Sequence, residues 1–488
     1  MKNKLEVTPI SGAVNTSQLI FCDRVILGKQ ATLREESALL RIENHQITEI
    51  TALSRSSFEA LNLPEVQDLG NRLLGPSFIN GHTHLAMSAL RGVGLKALQG
   101  NVMESLYYVL ESELTPEDIR AFVRMGAYES LLSGVTACWD HYYAAEAIAS
   151  GLQDVGICGT VAPTLQDLGG PGKDHWPQAL EATQRILENQ SLAAAGIYPV
   201  LGPHAADTVS TALWQEVKTL AETHQLSIHC HLSQSLEEYE RVLARENCTP
   251  VAYLQREGIL DVPVPLILVH SLLLTHEDMQ RLNPERHILG YCPFSQLQFG
   301  FPAPAEQWWQ AGFGVQVGTD AGACNDTMNV QQELRSLAGG NGFGVTHSST
   351  YAAFQQEGAF EQAREVYGLR ANLLAQRPDN AKILSSVWSV PGESCPALNM
   401  GEIAVGKRAN LNCWNPNHPA LWPATDALRA LVMGNTAAAL DNVMVNGQWV
   451  TPAQKNFHEH VLSSANYAAA QQEATQRLEK LLLRCGLE

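Results

Sequence analysis

His82 and His84 stand one residue apart at the end of an apolar run, Gly75-Pro-Ser-Phe-Ile-Asn-Gly-His-Thr-His84. On an extended strand, residues i and i+2 point to the same face. Both imidazoles can therefore aim at one point, which is what a metal ion needs. A lone His-x-His pair is weak evidence, because many such pairs are solvated or satisfied by backbone groups. Further candidates close other apolar runs: His204 after Gly202-Pro203, His229 and His231 on either side of Cys230, His270 after Val269, and Asp320 after Gly318-Thr319. One such histidine alone would be a core residue with its ring hydrogen-bonded. Five separate runs each delivering a His or Asp at the same end point to a metal site.

Elements must bring these positions together. The middle of the chain alternates β-type runs (Leu73–Ile79, Val135–Tyr142, Ile157–Leu165, Ile197–Pro203, Leu226–His231, Pro265–His270, His287–Cys292, Gly314–Gly318) with helical patterns. The helical stretches include Pro116–Ser133, Pro177–Ala195, Thr211–His224, Leu236–Gly258 and Thr275–Asn283. Continuous apolar strands separated by helices predict a parallel sheet covered on both faces. Eight units match an α/β fold of the (β/α)8 TIM-like barrel type, in which every strand end points to one rim. An open doubly wound sheet is the competing fold, but no Gly-x-Gly-x-x-Gly turn follows the first run. The flanks differ. Gln18–Ile50, Gly401–Trp414 and Asp441–Val450 are short strand-like pieces broken by turn residues, and they predict a small β-sandwich built from both ends. The expected division is 1–74 with 390–455 as the sandwich, 75–389 as the barrel, and 456–488 as a C-terminal amphipathic helix.

The motifs, in order, are Gly75–His84, Leu90-Arg-Gly92, Ser133-Gly-Val-Thr136 with Asp140, Pro203-His-Ala205, His231-Leu-Ser233, Val269-His-Ser271, Cys292-Pro-Phe-Ser295 and Gly318-Thr-Asp320. They resemble the amidohydrolase superfamily, in the branch of S-adenosylhomocysteine and guanine deaminases and triazine amino- or chlorohydrolases. The resemblance spans about residues 18–455; Gly401–Leu411 and Val443–Gly447 look like the family's closing sandwich strands. It implies one divalent metal, Zn2+ first, held by His82, His84, His231 and Asp320; Fe2+ and Mn2+ also suit such ligands. Ile197–His204 has no lysine, which favours one metal over a lysine-bridged pair. The metal would bring the pKa of a bound water from 15.7 to about 7 and supply hydroxide to a ring carbon. By the same resemblance Asp320 accepts the water's proton, His270 stabilises the attacked centre, and His204 contacts substrate.

One departure matters. Deaminases of this branch carry a proton-shuttling glutamate three residues after the ligand His231, and this chain has Gln234. An amide can give or take a hydrogen bond but cannot carry a proton at neutral pH. Either the substrate's leaving group needs little acid help, another residue (Glu237 or Glu238, expected out on the next helix) supplies the acid, or the chain is a weak relative. Softer candidates are Trp139, Phe294 and Phe299, which could stack on a planar ring or simply pack. Asn325, Asp326 and Asn329 could fix a substrate or cap the helix Val330–Leu337. Leu85–Tyr108, Pro171–Trp176 and Gly339–Tyr351 are the expected specificity loops of the rim, the last a candidate lid.

Bulk properties bound the partners. The 488 residues carry 50 acidic against 32 basic side chains, a formal charge of −18. That disfavours nucleic acid and anionic membranes, which require a positive patch. The composition, 45% hydrophobic and 17% charged, is that of a globular chain. Met1–Ser17 lacks a signal-peptide core, no run reaches membrane-spanning length, and the ten cysteines have no framework spacing. A cytoplasmic protein with reduced core cysteines is expected. The expected reaction is removal of an amino group from a nitrogen heterocycle by hydroxide addition. Hydrolysis of another C–N or a C–halogen bond is the alternative, and a non-catalytic binding barrel the rival from another class. The resemblance also implies a homo-oligomer, a dimer or larger.

Overall fold

The computed structural model describes residues 17–29, 32–93, 106–298, 303–340, 361, 364–365, 368 and 378–487. Phe299, most of Gly339–Tyr351 and the middle of Leu85–Tyr108 lie outside them. The architecture is α/β and TIM-barrel-like. Its strands are Phe78–His84 (β1), Val135–Tyr142 (β2), Cys158–Leu165 (β3), Ile197–Pro199 with Gly202–Pro203 (β4), Ile228–Leu232 (β5), Leu266–His270 (β6), His287–Tyr291 (β7) and Gly314–Val317 with Asp320–Ala321 (β8). Helices separate them, and every pairing among these strands is parallel.

The pairings run β1 to β2 to β3 to β4, and β5 to β6 to β7 to β8. A single parallel bridge, Leu201↔Ile228, lies between β4 and β5, with His229 N–H donating to Leu201 O at 2.8 Å. The far end of β8 pairs with β1 through Asp320↔Thr83. β2 and β3 are buried at every residue, as continuous apolar strands covered on both faces should be.

Several boundaries depart from the sequence expectation. The run Leu73–Ile79 is two strands: Leu73–Pro76 pairs antiparallel with Leu411–Trp414, and β1 starts only at Phe78. The fourth run breaks between Pro199 and Gly202, because prolines offer no N–H to a ladder. Leu236–Gly258 is two helices, Leu236–Glu246 and Pro250–Arg256, the second capped by the Thr249 side chain with Pro250 in its first turn. Pro177–Ala195 likewise divides at Asn189, whose side chain caps Gln190–Ala195.

Both flanks meet in one mixed eight-stranded sheet. Ile20, Val25, Leu40 and Ile42 from the N-terminal flank share a buried cluster with Ile403, Leu411 and Met444 from the other. Ala465–Arg484 forms the last helix; Arg477 and Arg484 both reach Asp118, at 3.1 and 2.7 Å, on the helix Pro116–Leu132. All ten cysteines are free and seven are buried. No helix among the described residues is long and apolar enough to cross a membrane.

Candidate metal centre

β1 and β8 approach so closely at His82 that only glycine fits opposite it. A Cβ at Gly318 would stand 2.3 Å from His82 N and 2.4 Å from His82 O, both backbone atoms that cannot swing away. Gly318→Ala is therefore expected to destabilise the fold by about 3 kcal/mol or more, through displacement of β1. A urea midpoint equal to that of the parent would contradict this close approach.

The strand ends carry the candidate residues on unusual backbone. His270 (φ 75°), Ser271 (φ 48°), Asp320 (φ 62°) and Ser233 (φ 51°) all occupy the left-handed region without being glycine. Such conformations cost about 1–3 kcal/mol each and persist where the surroundings over-determine them. Here they sit just beyond, or at the end of, the strands that deliver His231, His270 and Asp320.

The side chains converge. Asp320 Oδ1 lies 3.5 Å from His84 Nε2 and 3.8 Å from His82 Nε2. Two tetrahedral ligands on zinc, each at about 2.1 Å, are about 3.4 Å apart, so this spacing fits a shared cation. Ligand atoms of His82, His231 and His270 form a second group within 4.8 Å, joined to the first through His82. A third group contains His270, Cys292 and Asp320. The ring centroid of His82 is 4.8 Å from that of His84 and 5.0 Å from that of His231.

Hydrogen bonds set the tautomers. His84 Nδ1 donates to the His141 carbonyl and His231 Nδ1 donates to the His204 carbonyl, the latter at 2.8 Å. A carbonyl can only accept, so each Nε2 keeps its lone pair. His82 Nδ1 meets His229 Nε2 at 3.0 Å, and His82 Nε2 is buried without a hydrogen-bond partner among the described residues. Burial, the largest cause, holds His82 and His231 well below the usual imidazole range and lowers His84. Neutral imidazoles with bare Nε2 atoms are the form a cation binds.

Asp320 and His270 are oriented from behind. The Ser295 hydroxyl donates to Asp320 Oδ2 at 2.8 Å, and Oδ1 accepts the Ala321 N–H at 2.9 Å. The Gln296 amide nitrogen lies 3.0 Å from His270 Nδ1 and donates to it. His270 Nε2 is then the protonated nitrogen; it is buried and has no partner among the described residues. Burial pushes His270 down to about 4, so it offers a neutral N–H donor.

The remaining sequence candidates fall in different places. His204 stands beside His231, ring centroids 5.0 Å apart, with its Nδ1 on Thr208 Oγ1 at 2.9 Å. Gln234 is exposed just after β5. Glu238 lies on the next helix, as expected, but its carboxyl is not out in solvent: it turns back, buried, to accept the N–H groups of Ser233 and Gln234 at 2.9 and 2.8 Å. Trp139 is wholly buried, donates to Pro391 O at 3.1 Å and meets His229 edge-on at 5.5 Å. The Asn325 amide nitrogen is engaged by Thr319 O and Glu333 Oε1, at 2.7 and 2.8 Å. Phe294 is 41% exposed.

Other groups at the centre were not singled out from sequence. Gln296 lacked any signal beyond its place after the Cys292–Ser295 motif. His141 was hidden inside an apolar run. Glu111, on the short helix Tyr108–Ser112, is buried beside Tyr142 and Tyr143, and burial raises it to about 8. The unfolded chain releases this proton near the ordinary 4.5 while the folded protein keeps it to about 8, so stability falls as pH rises between those values. Glu111→Gln is expected to remove that loss, on the order of a few kcal/mol between pH 5 and 8. Urea midpoints at the two pH values check it; parallel pH dependence in parent and variant would contradict it.

Comparison with known proteins bears on the family and the fold. Residues 73–349 match the model of the family described as the amidohydrolase family. The chain is 27% identical over 433 residues to a 5-methylthioadenosine/S-adenosylhomocysteine deaminase of Thermococcus kodakarensis, covering 88% of this chain and 93% of that protein. It is 28% identical to a 5'-deoxyadenosine deaminase of Methanothrix thermoacetophila, over 78% of this chain and 93% of that one. Among solved structures, an adenosine deaminase from Xanthomonas campestris with bound zinc superposes with a TM-score of 0.77 at 22% identity, covering 96% of this chain and 98% of that one. An atrazine chlorohydrolase from Arthrobacter aurescens, complexed with zinc, gives 0.73 at 20% identity, over 93% and 99%. These two likenesses speak for the fold.

Proposed function

The chain belongs to the amidohydrolase family, and we propose that it is a metal-dependent aminohydrolase that deaminates the heterocycle of a nucleoside-type substrate. The observation that carries this reading is the convergence of bare Nε2 atoms and Asp320 Oδ1 at cation spacing, in a chain whose relatives are named deaminases. His82, His84, His231 and Asp320 hold one divalent cation, zinc first by ligand type and by the zinc in similar folds. When bound, that cation would supply Lewis acidity, making a proton of the attacking water removable near neutral pH.

The chain's own residues do the rest. Asp320, held at Oδ2 by Ser295, takes the nucleophile's proton on its carboxylate. His270 donates its Nε2–H toward the attacked centre, where charge develops. His204 lines the substrate side beside His231. Trp139 walls the imidazole cluster and Asn325 braces the end of β8 through Glu333, so neither is assigned a substrate contact. In the fold, the bridge Leu201↔Ile228 and the pairing Asp320↔Thr83 support a single closed (β/α)8 barrel over 75–389. The shared sheet supports one composite β domain from 1–74 and 390–455, where two sheets were expected, followed over 456–488 by two helices, Phe457–Leu462 and Ala465–Arg484. A cytoplasmic location, as a homo-oligomer without nucleic acid or membrane partners, completes the proposal.

Gln234 favours a second reading. With an amide, not an acid, three residues after His231, a substrate whose leaving group departs without protonation, such as a chlorinated triazine, is the alternative. Ammonia release from a panel of adenosine derivatives, with chloride release from chlorotriazines in parallel, separates the two. Halide without ammonia would overturn the deaminase reading.

A further inference from the structure

His229 and His141 lie in the same cluster of rings but are outside the proposed ligand set. His229 is completely buried, its Nε2 is 3.0 Å from His82 Nδ1, and its Nδ1 has no partner among the described residues. His141 is 1% exposed; its Nε2 lies 3.0 Å from Gly202 O, and its Nδ1 is also unpartnered. The two rings are 5.5 Å apart, centre to centre.

The hydrogen-bond roles of both rings can be worked out from their ends. A cation at His82 Nε2 puts the His82 proton on Nδ1, so His229 Nε2 must accept it. A neutral imidazole has one donor and one acceptor. His229 Nδ1 therefore bears the remaining proton. At the other end, the Gly202 carbonyl accepts from His141 Nε2, which leaves His141 Nδ1 as an acceptor. The two orphan atoms are thus complementary, a donor on His229 and an acceptor on His141.

We propose that His229 is the positioning residue of the metal centre: it accepts the Nδ1–H of His82 and so locks the tautomer whose bare Nε2 faces the cation. This gives His82 an imidazole acceptor where His84 and His231 have backbone carbonyls. The carbonyls are fixed by the strands and no substitution removes them. The acceptor for His82 is a side chain, so its contribution can be measured.

The inference rests on the metal-site reading above, and the test separates the two. In His229→Gln the amide oxygen reaches the place of Nε2 and can accept; in His229→Asn the shorter amide reaches only the place of Nδ1 and cannot. Both are polar and of similar bulk, so packing is matched. Zinc affinity is measured by chelator competition on each purified, demetallated and reloaded protein, with far-UV circular dichroism and apo-protein melting as controls for folding. The expected result is affinity within about threefold of the parent for His229→Gln and a 10- to 100-fold loss for His229→Asn. Equal affinities in the two variants, whether both high or both low, would overturn the positioning role. If His229→Asn fails to fold, a His229→Gln affinity more than tenfold below the parent overturns it by itself. Failure of the parent chain to bind zinc would sink the metal-site reading instead.

Discussion

Asp320→Asn is expected to lower kcat/KM for the accepted heterocycle by about 10^3- to 10^4-fold, the range for loss of a positioned acid–base group. The substitution is nearly isosteric. It keeps the left-handed backbone (φ 62°), which asparagine adopts readily, and it keeps an oxygen for the Ser295 hydroxyl. What it removes is the negative charge beside His82 and His84, the Oδ1 acceptor that faces them and the Ala321 N–H, and the capacity to take up a proton. The loss should appear in kcat as well as kcat/KM, because the proton moves only as the bond forms. Steady-state ammonia release on metal-reloaded protein measures it. A variant within tenfold of the parent would mean that another group takes the proton.

The second large effect concerns the residue where this chain departs from its family. Gln234→Glu is expected to raise the rate of amine loss by about 10^2-fold. It is also expected to add an ionisation to the pH profile: a carboxyl that must deliver a proton loses effect as pH rises above its pKa. Chloride loss, which needs no proton, should not gain. The position suits the experiment because Gln234 is exposed and its N–H is already held by Glu238 Oε2 at 2.8 Å, so a new side chain there meets an organised loop. Glu238 itself is raised to about 7 by burial, the nearby Asp207 charge adding to it. Its two oxygens are engaged in holding that loop, which argues for a positioning role over acid catalysis. Ammonia release unchanged across pH in Gln234→Glu would remove this position from the proton path.

The candidate centre was legible because each proposed ligand ends an apolar run. An i, i+2 rule places His82 and His84 on one face, and parallel strands bring their C-terminal ends to one rim. The same rule, applied to His229 and His231, marks His229 as a second inward ring on β5. Only the structure supplies its partner, since a hydrogen bond between side chains 147 residues apart leaves no trace in local pattern. Glu238 was misjudged for a different reason. At the third position of its helix a glutamate reaches back over the preceding N–H groups, so a charged residue in a polar stretch ends up buried. Helix and strand breaks at Pro250 and Pro199 are local chemistry that a coarse reading passed over. The joining of Leu73–Pro76 to Leu411–Trp414 is a long-range pairing that both strands' apolar character permits but does not specify.

The central claim is a single cation bound jointly by His82, His84, His231 and Asp320. Elemental analysis of the purified chain, with anomalous diffraction at the zinc edge from its crystals, tests it most directly. The expected result is about one equivalent of divalent metal per chain and one anomalous peak within about 2.3 Å of the three Nε2 atoms and an Asp320 oxygen. Protein that folds, yet binds no divalent metal there when zinc, iron and manganese are each supplied, would contradict the account.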